Sequence, residues 1–134
     1  MKPFIHGLDH IAVIARNIRQ SEKFYTQVLG GRVIWKNATN CFLQLGKKDV
    51  LALLAAPAGH PFRILQKMQG KKFSHFGFQA KSEKEVTRFA DHLRKYKVRI
   101  TEGPYTRSDG ASVYFLDPNG YTLEYFYLKP PRKK

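Results

Sequence analysis

Two histidines and one glutamate stand in runs that are otherwise apolar. His10 lies in the run 8–15, His75 in the run 73–80 and Glu124 in the run 121–127. All three runs have the length and the β-branched or aromatic content of strands. Two neutral imidazoles and one carboxylate make a facial ligand set for a divalent transition metal and leave positions open for a substrate. Strands suit this task because they fix a ligand's direction better than loops do. Taken singly, each residue has a plainer reading: a strand histidine as a hydrogen-bonded core group, a lone glutamate as an edge charge. Repetition argues for the metal. His10 and His75 occupy the same place in two copies of one pattern, Asp9-His10-Ile11-Ala12-Val13 and Ser74-His75-Phe76-Gly77-Phe78.

The elements that must position these residues repeat as well. In the first copy, strand 8–15 is followed by a helix that Asn17 opens, with Gln20 completing a capping box. Phe24, Val28 and Leu29 form its apolar stripe, and Gly30-Gly31 stops it. Strands over 32–36, 41–46 and 50–56 follow, the last two joined through Lys47-Lys48-Asp49. The stretch 57–72 is a connector punctuated by Pro57, Gly59, Pro61 and Gly70, with room for a short helix over 62–68. The second copy places Phe76 and Phe78 on one face of strand 73–80, and His75, Gly77 and Gln79 on the other. Ser82 and Glu85 form its capping box, and Val86, Phe89, Ala90 and Leu93 its buried stripe. Strands over 98–101, 112–117 and 121–127 complete it, with the turn Asp117-Pro118-Asn119-Gly120 between the last two. Each copy is β-α-β-β-β. Neither covers both faces of its sheet alone, so the two must complete each other, within one chain or across two.

Three segments resemble the vicinal oxygen chelate superfamily: Gly7-Leu8-Asp9-His10-Ile11-Ala12-Val13, Phe24-Tyr25-Thr26-Gln27-Val28-Leu29-Gly30, and Tyr114-Phe115-Leu116-Asp117-Pro118-Asn119-Gly120-Tyr121-Thr122-Leu123-Glu124. That superfamily includes glyoxalase I, fosfomycin-resistance enzymes, extradiol dioxygenases and bleomycin-binding proteins. The likeness runs over residues 7–128. It implies an α+β fold in which two paired βαβββ units form a U-shaped mixed sheet. The chain is then one domain: unit one over 7–56, the connector 57–72, unit two over 73–128 and a basic tail, 129–134. The resemblance also implies His10, His75 and Glu124 as the metal ligands, and their mixed nitrogen and oxygen ligation suits manganese, iron, nickel, cobalt or zinc. Members of this length commonly pair as homodimers, so that His10 of one chain faces His75 and Glu124 of the other.

Departures narrow the branch. Glyoxalase I adds a fourth ligand near the end of unit one, where this chain has Ala52. Extradiol dioxygenases carry a further histidine where it has Thr106, Arg107 and Ser108. The three-ligand pattern is most similar to the fosfomycin-modifying enzymes. The segment from Arg107 to Tyr114 resembles their loop, which binds a monovalent cation, here through Ser108 and Ser112, and presents a tyrosine, here Tyr114. Ala12 and Pro104 replace a hydroxyl and a lysine that would hold the epoxide substrate. Plainer readings stand beside these. Tyr114 reads equally as an aromatic core residue, and the two serines read more simply as turn and strand serines with local hydrogen bonds. Cys41 reads as buried rather than reactive.

Composition bounds the function. The 134 residues carry 24 Lys and Arg against 10 Asp and Glu, a net +14. Lys129, Arg132, Lys133 and Lys134 account for part of this, yet the body keeps a large positive surplus. One cysteine excludes an intrachain disulfide, and no segment is apolar enough to span a bilayer. Residues 1–7 do not read as a signal peptide. A cytoplasmic protein is expected. No helix-turn-helix, zinc-finger or RNA-recognition signature accompanies the charge, so no specific nucleic-acid partner is expected. The expected function is metal Lewis-acid catalysis on a small, anionic, oxygen-chelating substrate by a lyase, thiol transferase or dioxygenase. The alternative is a metal-free small-molecule binder like the bleomycin-resistance branch.

Overall fold

The computed structural model describes Pro3, His6, 8–56 and 75–130. The connector, the short helix expected over 62–68 and residues 131–134 lie outside the described residues. The chain divides into two compact units, Met1–Phe62 and Arg63–Lys134.

The first unit contains β1 (His10–Ala15), α1 (Ile18–Lys23), β2 (Arg32–Lys36), β3 (Asn40–Leu45) and β4 (Asp49–Ala55). The second contains β5 (His75–Gln79), α2 (Glu83–Lys95), β6 (Ile100–Arg107), β7 (Gly110–Leu116) and β8 (Thr122–Leu128). Each unit builds a four-stranded sheet of the same order, β1-β4-β3-β2 and β5-β8-β7-β6. The first and last strands of each unit run parallel, and the other neighbours antiparallel. In each unit the helix and the two middle strands together make the connection that a parallel pairing requires. The architecture is the α+β one expected. No described helix is long and apolar enough to cross a membrane.

Both predicted N-caps form, and the second is completed by a return bond from its glutamate. The Asn17 side chain accepts from the Gln20 N–H at 3.0 Å. Ser82 Oγ accepts from the Glu85 N–H at 3.1 Å, and Glu85 Oε1 accepts from the Lys81 N–H at 3.2 Å. Glu85 also accepts from the Tyr125 hydroxyl, which ties α2 to β8. In α2, Val86, Ala90 and Leu93 are buried, and Val113, Phe115 and Leu123 are buried in β7 and β8. Phe89 packs 4.3 Å from the Tyr125 ring and 5.5 Å from that of Phe115. One face of the second sheet is thus covered by α2, and the other carries His75, Ser112, Tyr114 and Glu124.

In the first unit the apolar stripe differs from the expected one. After Lys23 the helix widens into a π turn over Phe24–Val28. The extra residue in that turn rotates the side chains that follow it. Ser21, Phe24 and Tyr25 become the buried residues, whereas Val28 and Leu29 are only partly covered.

Cys41 is fully buried, its thiol 3.5 Å from Glu22 Oε1. Burial, with the negative charge and hydrogen bond of Glu22, pushes its pKa from 9.0 up to about 11. Between about pH 9 and about pH 11 the unfolded chain has lost this proton and the native chain keeps it. Stability therefore falls as pH rises through that window. Native protein is expected to react with a thiol reagent at neutral pH at least about tenfold more slowly than urea-unfolded protein. Equal rates would show that Cys41 is exposed.

Candidate metal centre

His75 opens β5, and Glu124 is the third residue of its parallel neighbour β8. The register sets His75 opposite Thr122 and Gly77 opposite Glu124. His75 and Glu124 are therefore diagonal neighbours on the face away from α2. Gly77 lets the two strands lie close here: a Cβ would stand 3.2 Å from the Glu124 carbonyl oxygen. In this setting His75 Nε2 lies 3.1 Å from Glu124 Oε1. Two atoms bound at right angles to one ion, at about 2.1–2.2 Å each, stand about 3.0–3.1 Å apart. The pair fits that requirement, and the same spacing serves a hydrogen bond between the two side chains.

The opposite oxygen of the carboxylate has its own donor. Ser112 Oγ donates to Glu124 Oε2 at 2.7 Å. Tyr114 lies directly across from Glu124 in the β7–β8 register, and its ring meets that of His75 edge-on at 5.4 Å. Burial, followed by the charge and hydrogen bond of Glu124, raises the Tyr114 pKa from 10.0 to about 12. The phenol keeps its proton at neutral pH and acts as a donor. Ser108 lies exposed in the turn between β6 and β7.

His10 belongs to the first unit and is half exposed. Its Nδ1 is 2.8 Å from Asp9 Oδ2, which leaves Nε2 for another partner. Such a carboxylate contact is the usual means of orienting a ligating histidine. The repeat extends to register: His10 faces Val50 as His75 faces Thr122, and Ala12 faces Ala52 as Gly77 faces Glu124. Ala52 therefore holds the place of Glu124, and this site of the first unit has no carboxylate. Among the described residues of one chain, no three His, Cys, Asp or Glu side chains group closely enough to hold an ion. The structure brings together His75, Glu124, Ser112 and Tyr114.

It also adds a residue that sequence reasoning placed in a loop. β6 continues to Arg107, well past the expected end at Thr101. Arg107 Nη2 lies 4.0 Å from Glu124 Oε2, and the guanidinium sits 4.8 Å above the Phe126 ring. Its Nε is 3.3 Å from Asp109 Oδ1. The strand absorbs Gly103-Pro104 as a bulge between Glu102 and Tyr105. Pro is tolerated there because β6 is the edge of its sheet. The available signal was the resumption of Tyr105 and Arg107 beyond the bulge.

The sequence model of the Glyoxalase/Bleomycin resistance protein/Dioxygenase superfamily matches residues 7–125, and the chain belongs to that superfamily. The 2,2',3-trihydroxybiphenyl dioxygenase of Sphingomonas paucimobilis is 29% identical over 126 residues, which cover 90% of this chain and 40% of the dioxygenase. The chain thus spans less than half of that relative's length. Fosfomycin resistance protein FosX of Listeria monocytogenes is 25% identical over 123 residues, covering 90% of this chain and 88% of FosX. A crystal structure of that FosX with Mn(II) and sulfate matches 94% of this chain and 93% of its own, with a TM-score of 0.74 and 18% identity. At that identity the match shows a shared fold.

Proposed function

We propose that this chain is a divalent-metal-dependent enzyme acting on a small anion that offers two adjacent oxygens. The carrying observation is the 3.1 Å approach of His75 Nε2 to Glu124 Oε1 on rigid neighbouring strands. His75, Glu124 and His10 would hold the metal, with His10 supplied by the partner chain of a homodimer. A manganese, iron, nickel, cobalt or zinc ion in that place would act as a Lewis acid toward a substrate oxygen. The FosX relative with Mn(II) favours manganese as the first ion to try.

The protein's own groups divide the remaining work. The Tyr114 hydroxyl, protonated at neutral pH, donates to a substrate oxygen beside the carboxylate. Arg107 offsets the charge of Glu124, and the basic surplus of the chain draws anions toward the face. Ser108, with a monovalent cation at its loop, belongs to the same reading. The reaction type is a lyase, thiol-transferase or dioxygenase step. Ala12 and Pro104 make fosfomycin itself a poorer candidate than a 2-oxo acid or a thiol conjugate. The lone buried thiol of Cys41 suits a reducing compartment such as the cytoplasm.

The test is calorimetry with a phosphonate, a 2-oxo acid and a thiol conjugate, with and without Mn(II), at two salt concentrations. Binding of at least one anion is expected to strengthen more than about tenfold with Mn(II) and to weaken at high salt. Equal binding with and without Mn(II) would overturn the proposal.

A further inference from the structure

Ser112 has no exposed surface, although it lies in the interior of β7 among Ala111, Val113 and Tyr114. A buried hydroxyl is costly unless it is hydrogen-bonded. Here it donates to Glu124 Oε2 at 2.7 Å, the length of a charge-assisted bond. Strand register makes the contact: Ser112 faces Phe126 and Tyr114 faces Glu124, so Ser112 and Glu124 are diagonal neighbours. The two carboxylate oxygens thereby acquire different surroundings. Oε2 faces Ser112, with Arg107 Nη2 4.0 Å away, and Oε1 faces His75 Nε2. A glutamate side chain turns freely about its last bond; the Ser112 donor restricts that freedom at Oε2, alongside the hydrogen bond that Tyr114 makes to the same carboxylate.

We propose that Ser112 is a positioning residue: its hydroxyl holds Glu124 so that Oε1, beside Nε2 of His75, is the oxygen presented to a divalent ion. The proposal rests on the metal-centre reading above. It gives Ser112 a task other than the monovalent-cation contact that the family resemblance implies. Removing a group that orients a metal ligand typically weakens metal binding by about 10–100-fold.

The test measures Mn(II) affinity by electron paramagnetic resonance on the full chain, in potassium buffer and in tetramethylammonium buffer. The proteins are the wild type, Ser112→Ala, Ser112→Thr, Glu124→Gln and the Ser112→Ala/Glu124→Gln double variant. Ser112→Ala is expected to weaken binding by about 10–100-fold in both buffers. Ser112→Thr keeps the hydroxyl and is expected within about threefold of wild type. In the Glu124→Gln background the serine change is expected to add no more than about a further threefold, because the carboxylate it orients is gone. Wild-type affinity in Ser112→Ala, with a loss in Glu124→Gln, would overturn the positioning role and leave the metal centre standing. A loss confined to potassium buffer would overturn it in favour of the cation contact. A wild type that takes no Mn(II), or a Glu124→Gln chain that binds like wild type, would overturn both readings. If circular dichroism shows Ser112→Ala unfolded, Ser112→Cys against Ser112→Thr decides. The thiol, a weaker donor, is expected to bind at least about tenfold less tightly, and equal affinities would overturn the proposal.

Discussion

Glu124→Gln and His10→Ala chains are each expected to bind divalent metal at least about 100-fold more weakly than wild type, and an equimolar mixture of the two to recover about a quarter of the sites. The glutamine keeps the shape of Glu124 but removes the one negative charge of the proposed ligand set. The alanine removes an imidazole whose Nδ1 is already engaged by Asp9. Neither change touches a core side chain, so both proteins are expected to stay folded. The recovery follows from symmetry. Random pairing makes about half of the dimers mixed, and each mixed dimer joins one intact His10 to one intact Glu124. Two differently tagged chains, exchanged in mild denaturant and counted for bound Mn(II), give the measurement. Metal loss without any recovery would place all three ligands in one chain and sink the shared homodimer.

Gly110→Ala is expected to cost about 3 kcal/mol or more, a severe effect for one methyl group. Gly110 opens β7 opposite Leu128 of β8, and a Cβ there would overlap the carbonyl oxygen of Tyr127. That obstacle is backbone within a strand pair, so it cannot swing aside as a side chain would. The strands must part or slip, and a slip would move Ser112 and Tyr114 off Glu124 together. Gly30→Ala is a useful contrast. Its φ is +74° and nothing stands within 4 Å of the added carbon. Only conformational strain acts there, about 1 kcal/mol. Urea unfolding of both variants measures the difference. A Gly110→Ala midpoint no lower than that of Gly30→Ala would refute this account of the β7–β8 pairing.

The repeated β-α-β-β-β order was legible because its signals are local. Asn17 with Gln20 and Ser82 with Glu85 mark helix starts through bonds spanning three residues, and both formed. The stripe Val86, Phe89, Ala90, Leu93 states its own period; Val86, Ala90 and Leu93 are buried and Phe89 is partly covered, packed on Tyr125. The far end of β6 was not legible. Gly103-Pro104 breaks a strand in most surroundings, and only its place at a sheet edge lets the chain resume pairing at Tyr105. The π turn over Phe24–Val28 was hidden for a related reason. A single extra residue in a helical turn changes which side chains face inward and leaves the composition of the segment untouched.

The candidate site divides along the same line. Repetition singled out His10 and His75, and residue type singled out Glu124, since polar groups on apolar strands stand out along a chain. The 3.1 Å approach of His75 to Glu124 required the parallel β5–β8 pairing and its register, which joins residues 49 positions apart. The pairing of Ser112 with Glu124, and the arrival of Arg107 beside them, likewise belong to tertiary structure. A serine in a strand looks the same along the chain whether its hydroxyl meets water, a cation or a buried carboxylate. Local patterns determine the order of the elements and most of their buried faces, because those depend chiefly on neighbours in the chain. Which donor meets which oxygen depends on how separate strands align, and only the folded sheet decides that.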